Sequence, residues 1–193
     1  MIMSTLPTRI AVQSSGRLRD DSLTFLQSLG IQLPSQVGRL LLVSAVNCPV
    51  EVVFVRHRDI PRYVQTGVVH YGIVGENVLN ESAADVIQLQ RLAFGNCRLV
   101  IAVPKNSGID TVCGLSGLRI ATSYPNSLKK FLRQSNIAAE VVTVDGSVEV
   151  APQLDLADAV CDLTQTGITL RTHDLVPIQT LFESQAVFIT TPL

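Results

Sequence analysis

Cysteine is scarce and scattered: Cys48, Cys97, Cys113 and Cys161 are the only four in 193 residues. None forms a Cys-x-x-Cys pair or a Cys/His cluster at metal-ligand spacing, which excludes a dithiol motif and a metal knot. Reduced, buried thiols are the expectation; Cys97 and Cys161 fall in apolar runs, where Cys behaves as a small hydrophobe. His57, His70 and His173 are too dispersed for a triad or a metal set. Net charge is also nearly absent, at -1 from 15 Lys and Arg against 16 Asp and Glu. The chain therefore has no general attraction for nucleic acid or an anionic membrane, and any phosphate site must be local. No uncharged apolar run reaches the ~18 residues that span a bilayer. The first nine residues lack the basic start and apolar core of a signal peptide, so the cytoplasm is the expected compartment. No internal repeat or low-complexity segment is evident.

What is present is a globular composition, 47% hydrophobic and 16% charged, long enough to bury a core as one domain or two small lobes. Short β-type runs recur at Arg9–Gln13, Leu40–Ala45, Val50–Arg56, Tyr71–Val74, Val86–Gln90, Leu99–Val103, Leu118–Thr122, Glu140–Val144, Ala159–Leu163 and Ala186–Thr190. Helical spacing between them, at Asp20–Leu29, Ile60–Thr66, Ser127–Gln134 and Val148–Leu154, makes the class α/β. The first seven strands or so read as apolar on both faces, as in a sheet covered by helices. The rhythm changes at Phe94-Gly95-Asn96-Cys97, and a second crossing is expected near Glu183–Ala186. The lobes are thus 1–95 plus 184–193, and 96–183, with a ligand cleft between them.

Three constellations carry possible chemistry. The first lies between Glu149 and Leu170, where the apolar run Ala159–Leu163 ends at the polar cluster Thr164–Thr169 and a helix should start. Gly167 lets the backbone approach a ligand, Thr166 and Thr169 supply hydroxyls, and the N–H groups of a helix start attract an anion. The same Thr-Gly-x-Thr also fits a turn that merely caps a helix. Asp162 and Glu149, meeting at one strand edge, suit ribose hydroxyls or Mg²⁺ held through water. The second is Ser14-Ser15-Gly16-Arg17, a turn between the first strand and the first helix that presents N–H groups and a forked cation. Arg39, ahead of another strand, has reach to the same cleft. The third is Arg56-His57-Arg58-Asp59-Ile60-Pro61-Arg62, with Asp59 as N-cap and Pro61 in the first helical turn. It reads either as a solvated basic entry to a helix or as a surface receiving phosphates or a partner's acids. The helix at 127–134 has one apolar face and one basic face, Lys129, Lys130 and Arg133, of the kind usually left to solvent.

Taken together, these residues resemble the ATP phosphoribosyltransferase family, which opens histidine biosynthesis. Its signature is a Glu, then Gly-x-small, an Asp after a branched residue, and Ser/Thr-Gly-x-Thr-Leu/Met. Glu149, Ala157, Val160, Asp162, Thr166, Gly167, Thr169 and Leu170 match in register. Further blocks agree in order, among them Ser15-Gly16-Arg17-Leu18, Asp59-Ile60-Pro61, Gly72 to Leu79, Phe94 to Leu99, Arg119 to Pro125 and Gly146 to Pro152. The resemblance implies a two-lobed type II periplasmic-binding-protein-like fold with the active site in the cleft between lobes. It implies that N1 of ATP attacks the anomeric carbon of phosphoribosyl pyrophosphate, with Mg²⁺ present and pyrophosphate leaving. Thr166, Gly167 and Thr169 would hold the 5-phosphate, Glu149 and Asp162 would lie at the ribose, and Arg17 and Arg39, beside Gly16, would face the pyrophosphate. No metal-ligand residue is assigned, since Mg²⁺ is expected through pyrophosphate and water. The implied partners are further copies of the chain or a regulatory subunit resembling histidyl-tRNA synthetase.

Three positions depart from the family pattern. Ser14 replaces a Lys, His70-Tyr71 replaces the Asp-Leu of Asp-Leu-Gly-Ile, and Asp155 replaces the signature Gly. Loss of a phosphate-facing cation costs several kcal/mol at a buried site. The departures define an alternative, a non-catalytic relative that binds a nucleotide or phosphosugar or regulates a true transferase by association. A solute-binding module shares the implied fold but would need an export signal. Blocks such as Gly-Glu-Asn-Val-Leu resemble the long form of the family, which continues beyond this sequence length into a regulatory domain.

Overall fold

The computed structural model describes residues 6–35 and 40–192. In chain order its elements begin β1 (Thr8–Gln13), α1 (Arg19–Ser28), β2 (Leu42–Ser44), β3 (Val50–Val55), α2 (Ile60–Gln65), β4 (Tyr71–Gly75), α3 (Glu76–Ser82) and β5 (Ile87–Arg91). They continue β6 (Cys97–Pro104), β7 (Arg119–Thr122), α4 (Pro125–Gln134), β8 (Glu140–Thr143), β9 (Ala159–Thr164), α5 (Ile168–Thr172), β10 (Leu175–Ser184) and β11 (Ala186–Thr190), with 3₁₀ turns at Val112–Leu115, Val148–Val150 and Pro152–Leu154. The chain divides into two compact units, Met1–Gly95 with Gln185–Leu193, and Asn96–Ser184.

The first unit holds a sheet in the order β2-β3-β1-β4-β11-β5. β1 runs parallel to β3 and β4, whereas β11 is antiparallel to β4 and β5. Side chains alternate across the pleat, so Ile10 and Val12 join Val52, Phe54 and Leu26 of α1 in one core. Ala11 faces the other way, with Ile60 and Val64 of α2, Val78 of α3 and Ile189 of β11. Each such buried aliphatic contributes roughly 1.5–3 kcal/mol over its exposed state, and both faces share in it. The edges behave otherwise. All five residues of β5 are exposed, with Ile87 at 41% and Leu89 at 50%, and β2 shrinks to Leu42–Ser44 with only Val43 buried. The expectation of strands apolar on both faces fails there because each pairs on one side only. In α1, Asp20 and Asp21 favour the positive helix start, and Gly30 at φ +83 follows its end.

The second unit has the order β10-β6-β9-β7-β8. β7 lies parallel to both β8 and β9, and β6 runs antiparallel to β9 and to β10. α4 packs Leu128 and Leu132 on one face with Leu99, Ile101 and Ile120. The opposite face takes Val148, Ala151 and Leu170 against Val100, Ala102, Ala121 and Val160. That second face carries the segments bearing Glu149 and α5. The single helix expected at 148–154 is instead two 3₁₀ turns. Pro152 has no N–H to continue the ladder, so the turn breaks there. None of the four cysteines forms a disulfide; Cys97 and Cys161 are buried, but Cys113 is exposed, against expectation. Among the described residues, no helix is long and apolar enough to cross a membrane.

Candidate functional site

In the second unit the parallel strands β7, β8 and β9 bring their carboxyl ends to one sheet edge, where α/β sheets bind ligands. Asp162 stands near the end of β9 and Glu149 on the 3₁₀ turn Val148–Val150. Burial pushes the Asp162 carboxyl up to about 6; the Leu163 N–H opposes this and the Glu149 charge adds to it. The two acids therefore lie within each other's field. Thr166 and Gly167 follow β9, and Gly167 opens α5 at φ +74, ψ 8. The positive φ favours glycine here; a Cβ would also meet the flexible end of Arg171, Nη1, at 3.3 Å, which would have to give by a few tenths of an ångström. The Thr166 hydroxyl accepts the Ile168 N–H at 3.5 Å, and Arg171 Nη2 donates to the Thr166 carbonyl at 3.2 Å. That long bond is a weak cap, and the exposed Thr166 and Thr169 leave their hydroxyls at the solvent edge.

Asp155 adopts left-handed backbone at φ +55, ψ 20, the region that explains a signature Gly and that Asp tolerates better than most residues. Its carbonyl accepts Arg119 Nη1 at 2.8 Å, and its side chain is exposed. Arg119 also forks onto Asp158, with Nη2 to Oδ1 at 2.9 Å and Nε to Oδ2 at 3.2 Å. The guanidinium holds the Asp158 carboxyl below its ordinary range and ties the start of β7 to the residue ahead of β9.

In the first unit the turn after β1 carries Gly16, at φ +101, and an exposed Arg17. Ser14 donates its N–H to the Val55 carbonyl at 2.8 Å, so this turn is bonded to the exit of β3. Because Gln13 pairs with Val55 in parallel register, Arg56, His57 and Arg58 emerge at the same edge as Gly16 and Arg17. Burial, then the Arg58 charge, lower the His57 imidazole, with Asp59 opposing. The sequence treats Arg56 and Arg58 as a separate segment; strand-helix-strand order, which favours parallel neighbours, is the signal that joins them to Arg17. Arg39 lies outside the described residues.

His70 is elsewhere. It precedes β4, at the amino edge of the same sheet, where its Nδ1 accepts the Arg9 N–H at 3.0 Å and its carbonyl accepts the Thr190 hydroxyl at 2.9 Å. This departure is a backbone tie at the edge opposite Gly16. Gly16 and Arg17 belong to one unit, and Glu149, Asp162, Thr166, Gly167 and Thr169 to the other. A cavity of about 430 Å³, lined by Lys105, Asn106, Gln153, His173 and Asp174 among others, contains none of them. It opens where β6 ends and β10 begins, at the amino end of β9. Among the described residues no three His, Cys, Asp or Glu side chains cluster as metal ligands. Two polar residues whose type alone signals no role, Thr122 and Ser123, lie at the carboxyl edge of β7. They stood within a matched block, but nothing in that block marked them as hydrogen-bonded to the acid-bearing segments.

Comparison with known proteins agrees along the chain. The profile of the family HisG: ATP phosphoribosyltransferase matches residues 56–193. An ATP phosphoribosyltransferase of Cytophaga hutchinsonii is 44% identical over 190 residues, 98% of this chain and 66% of that protein, so the chain spans just under two thirds of the relative's length. Among solved structures, an ATP phosphoribosyl transferase (HisG:HisZ) complex from Thermotoga maritima aligns with TM-score 0.83 and 28% identity over 96% of this chain and 88% of that one. A periplasmic aliphatic sulphonate binding protein from Escherichia coli aligns with TM-score 0.60 at 15% identity, over 97% of this chain and 66% of the other. That likeness shows the fold alone, the α/β periplasmic-binding-protein kind. The family profile, the identity over nearly all of this chain and the matched signature on β9 and α5 together show that the chain belongs to the ATP phosphoribosyltransferase family.

Proposed function

We propose that the chain transfers the phosphoribosyl group of phosphoribosyl pyrophosphate to N1 of ATP, releasing pyrophosphate. The observation that carries this is the carboxyl edge of β9, where the partly buried Asp162 and the neighbouring Glu149 adjoin a glycine turn with two exposed hydroxyls. Thr166 and Thr169 hydroxyls and the N–H groups after Gly167 take the 5-phosphate. Asp162 and Glu149 accept hydrogen bonds from the ribose hydroxyls. As the C–O bond to pyrophosphate breaks and the C–N bond to adenine forms, negative charge gathers on the leaving group. Arg17 and Arg39 are the cations proposed to meet it, so no covalent nucleophile is required.

Mg²⁺ is proposed as the cofactor. Two carboxylates without a third ligand suit an ion that keeps several waters and binds chiefly through substrate phosphates. When bound, it neutralises charge on the pyrophosphate. The departures do not favour a non-catalytic relative: His70 stands at the opposite sheet edge, Asp155 occupies a permissive turn, and the Ser14 edge keeps Arg17, Arg56 and Arg58. The T. maritima relative is a two-component complex, so a regulatory subunit or further copies of this chain are the proposed partners, in the cytoplasm.

The test is direct. Purified chain with ATP, phosphoribosyl pyrophosphate and Mg²⁺, with and without a candidate regulatory subunit, is expected to form phosphoribosyl-ATP. Absence of product in both mixtures while both substrates still bind overturns the reading.

A further inference from the structure

Thr122 ends β7 and Ser123 follows it. The Thr122 side chain, in a fully buried residue, donates its hydroxyl to the Cys161 carbonyl at 2.6 Å and accepts the Tyr124 N–H at 2.9 Å. Cys161 is the residue bonded to Asp162. The Ser123 hydroxyl donates to the Val144 carbonyl at 2.7 Å and accepts the Gly146 N–H at 3.1 Å. It thereby closes the turn that leads through Ser147, left-handed at φ +49, into the 3₁₀ turn carrying Glu149. A Ser or Thr ahead of a helix ordinarily serves as its cap. Here α4 starts with Tyr124 as N-cap and no side-chain cap bond, and each hydroxyl instead donates to a neighbouring strand segment, Thr122 to Cys161 within β9 and Ser123 to Val144 just past β8. The dipeptide thus ties both segments that bear the acid pair to one rigid strand end.

We propose that Thr122 and Ser123 are positioning residues that set the placement of Asp162 and Glu149 relative to one another, and hence the grip on the ribose of phosphoribosyl pyrophosphate. The second half of that statement rests on the transferase reading; the first does not. A hydroxyl that both donates and accepts fixes a distance that packing alone leaves loose. Each bond lost also leaves a backbone group near the edge without its partner.

The variants are Ser123→Ala, Ser123→Thr, Thr122→Val and Thr122→Ser, read in two ways. In steady-state kinetics, Ser123→Ala and Thr122→Val are expected to raise KM for phosphoribosyl pyrophosphate roughly tenfold, as loss of one or two hydrogen bonds predicts, with KM for ATP within about twofold. Ser123→Thr and Thr122→Ser, which keep a hydroxyl, are expected to restore it. In the second readout, carboxyl carbon NMR follows the titration of Asp162 with Glu149 present and with Glu149→Gln. In the parent chain Glu149→Gln is expected to lower the Asp162 midpoint, and in Ser123→Ala that displacement is expected to shrink by at least half. An unchanged displacement in Ser123→Ala overturns the proposal, as does an unchanged KM in a chain that turns over. If the parent chain has no transferase activity, the kinetic arm fails with that reading, and the titration arm still decides the positioning role. If Thr122→Val does not fold, the Ser123 pair decides alone.

Discussion

The carboxyl edges of the two sheets share a backbone plan and differ in what they carry. Each is formed by parallel strands, and each has a glycine at positive φ in the turn after a central strand, Gly16 at +101 and Gly167 at +74. The first unit furnishes its edge with Arg17, Arg56 and Arg58; the second with Ser123, Thr166, Thr169, Glu149 and Asp162. Arg171, a cation beside the second glycine, donates to the backbone of its own turn at Thr166. The contrast teaches how one backbone plan can be equipped for two kinds of ligand group. A diphosphate leaving group needs mobile charge neutralised, which forked cations do. A ribose is neutral, and acceptors fixed in position discriminate it better than charge does.

The strongest way to break this contrast is to remove the cation. Arg17→Ala is expected to lower kcat/KM roughly 10²–10³-fold, the scale of losing one transition-state charge contact. Steady-state kinetics check it, and a loss below threefold would place the charge work elsewhere. Next is Asp162, whose carboxyl is raised from 3.8 to about 6. The fold disfavours the charged form, so this group's contribution is best at low pH and is lost as pH rises from about 4 through 6. The size is on the order of 2–3 kcal/mol. Asp162→Asn is expected to flatten that slope in denaturant titrations across pH. In the parent, turnover is expected to fall below pH ~6 as the acceptor becomes protonated, and Asp162→Asn loses that inflection.

Gly167→Val sharpens the contrast on the hydroxyl side. Left-handed backbone costs a branched residue about 1–2 kcal/mol, and the new Cβ crowds Arg171. KM for phosphoribosyl pyrophosphate is expected to rise about tenfold while KM for ATP holds. Ser14→Lys restores a cation beside Gly16 and is expected to improve affinity for phosphoribosyl pyrophosphate by roughly three- to tenfold in calorimetry. The smallest effect is expected at Asp155→Gly. Relief of the left-handed turn and the extra chain entropy of glycine nearly cancel, so melting is expected to shift by less than the equivalent of about 1 kcal/mol.

Buried parallel strands were the most legible parts of the chain. Val50–Val55 is dense in β-branched residues, Ala159–Thr164 is mostly apolar, and both end at turn signals. β10 escaped because its pattern is irregular: Pro177 interrupts it, and its register against β6 shifts at two places. α3 escaped because Gly75 passes directly from β4 into the helix, with no loop to mark the change. For the site, the glycine turns and the acids stood out by residue type. The hydroxyl ties of Thr122 and Ser123 did not, since their partners are backbone carbonyls 39 and 21 residues away in sequence. Nor did the role of Asp155, whose meaning is its φ rather than its charge.

The place of β11 sets an order of events during synthesis. It lies between β4 and β5, yet it is made only after the whole of Asn96–Ser184. On the ribosome β5 therefore waits without its sheet neighbour while the second unit, one contiguous stretch, has all its strands available. The unit that begins first is completed last. Its unpaired β4 and β5 edges are the surfaces a chaperone or a neighbouring nascent chain meets in the interval.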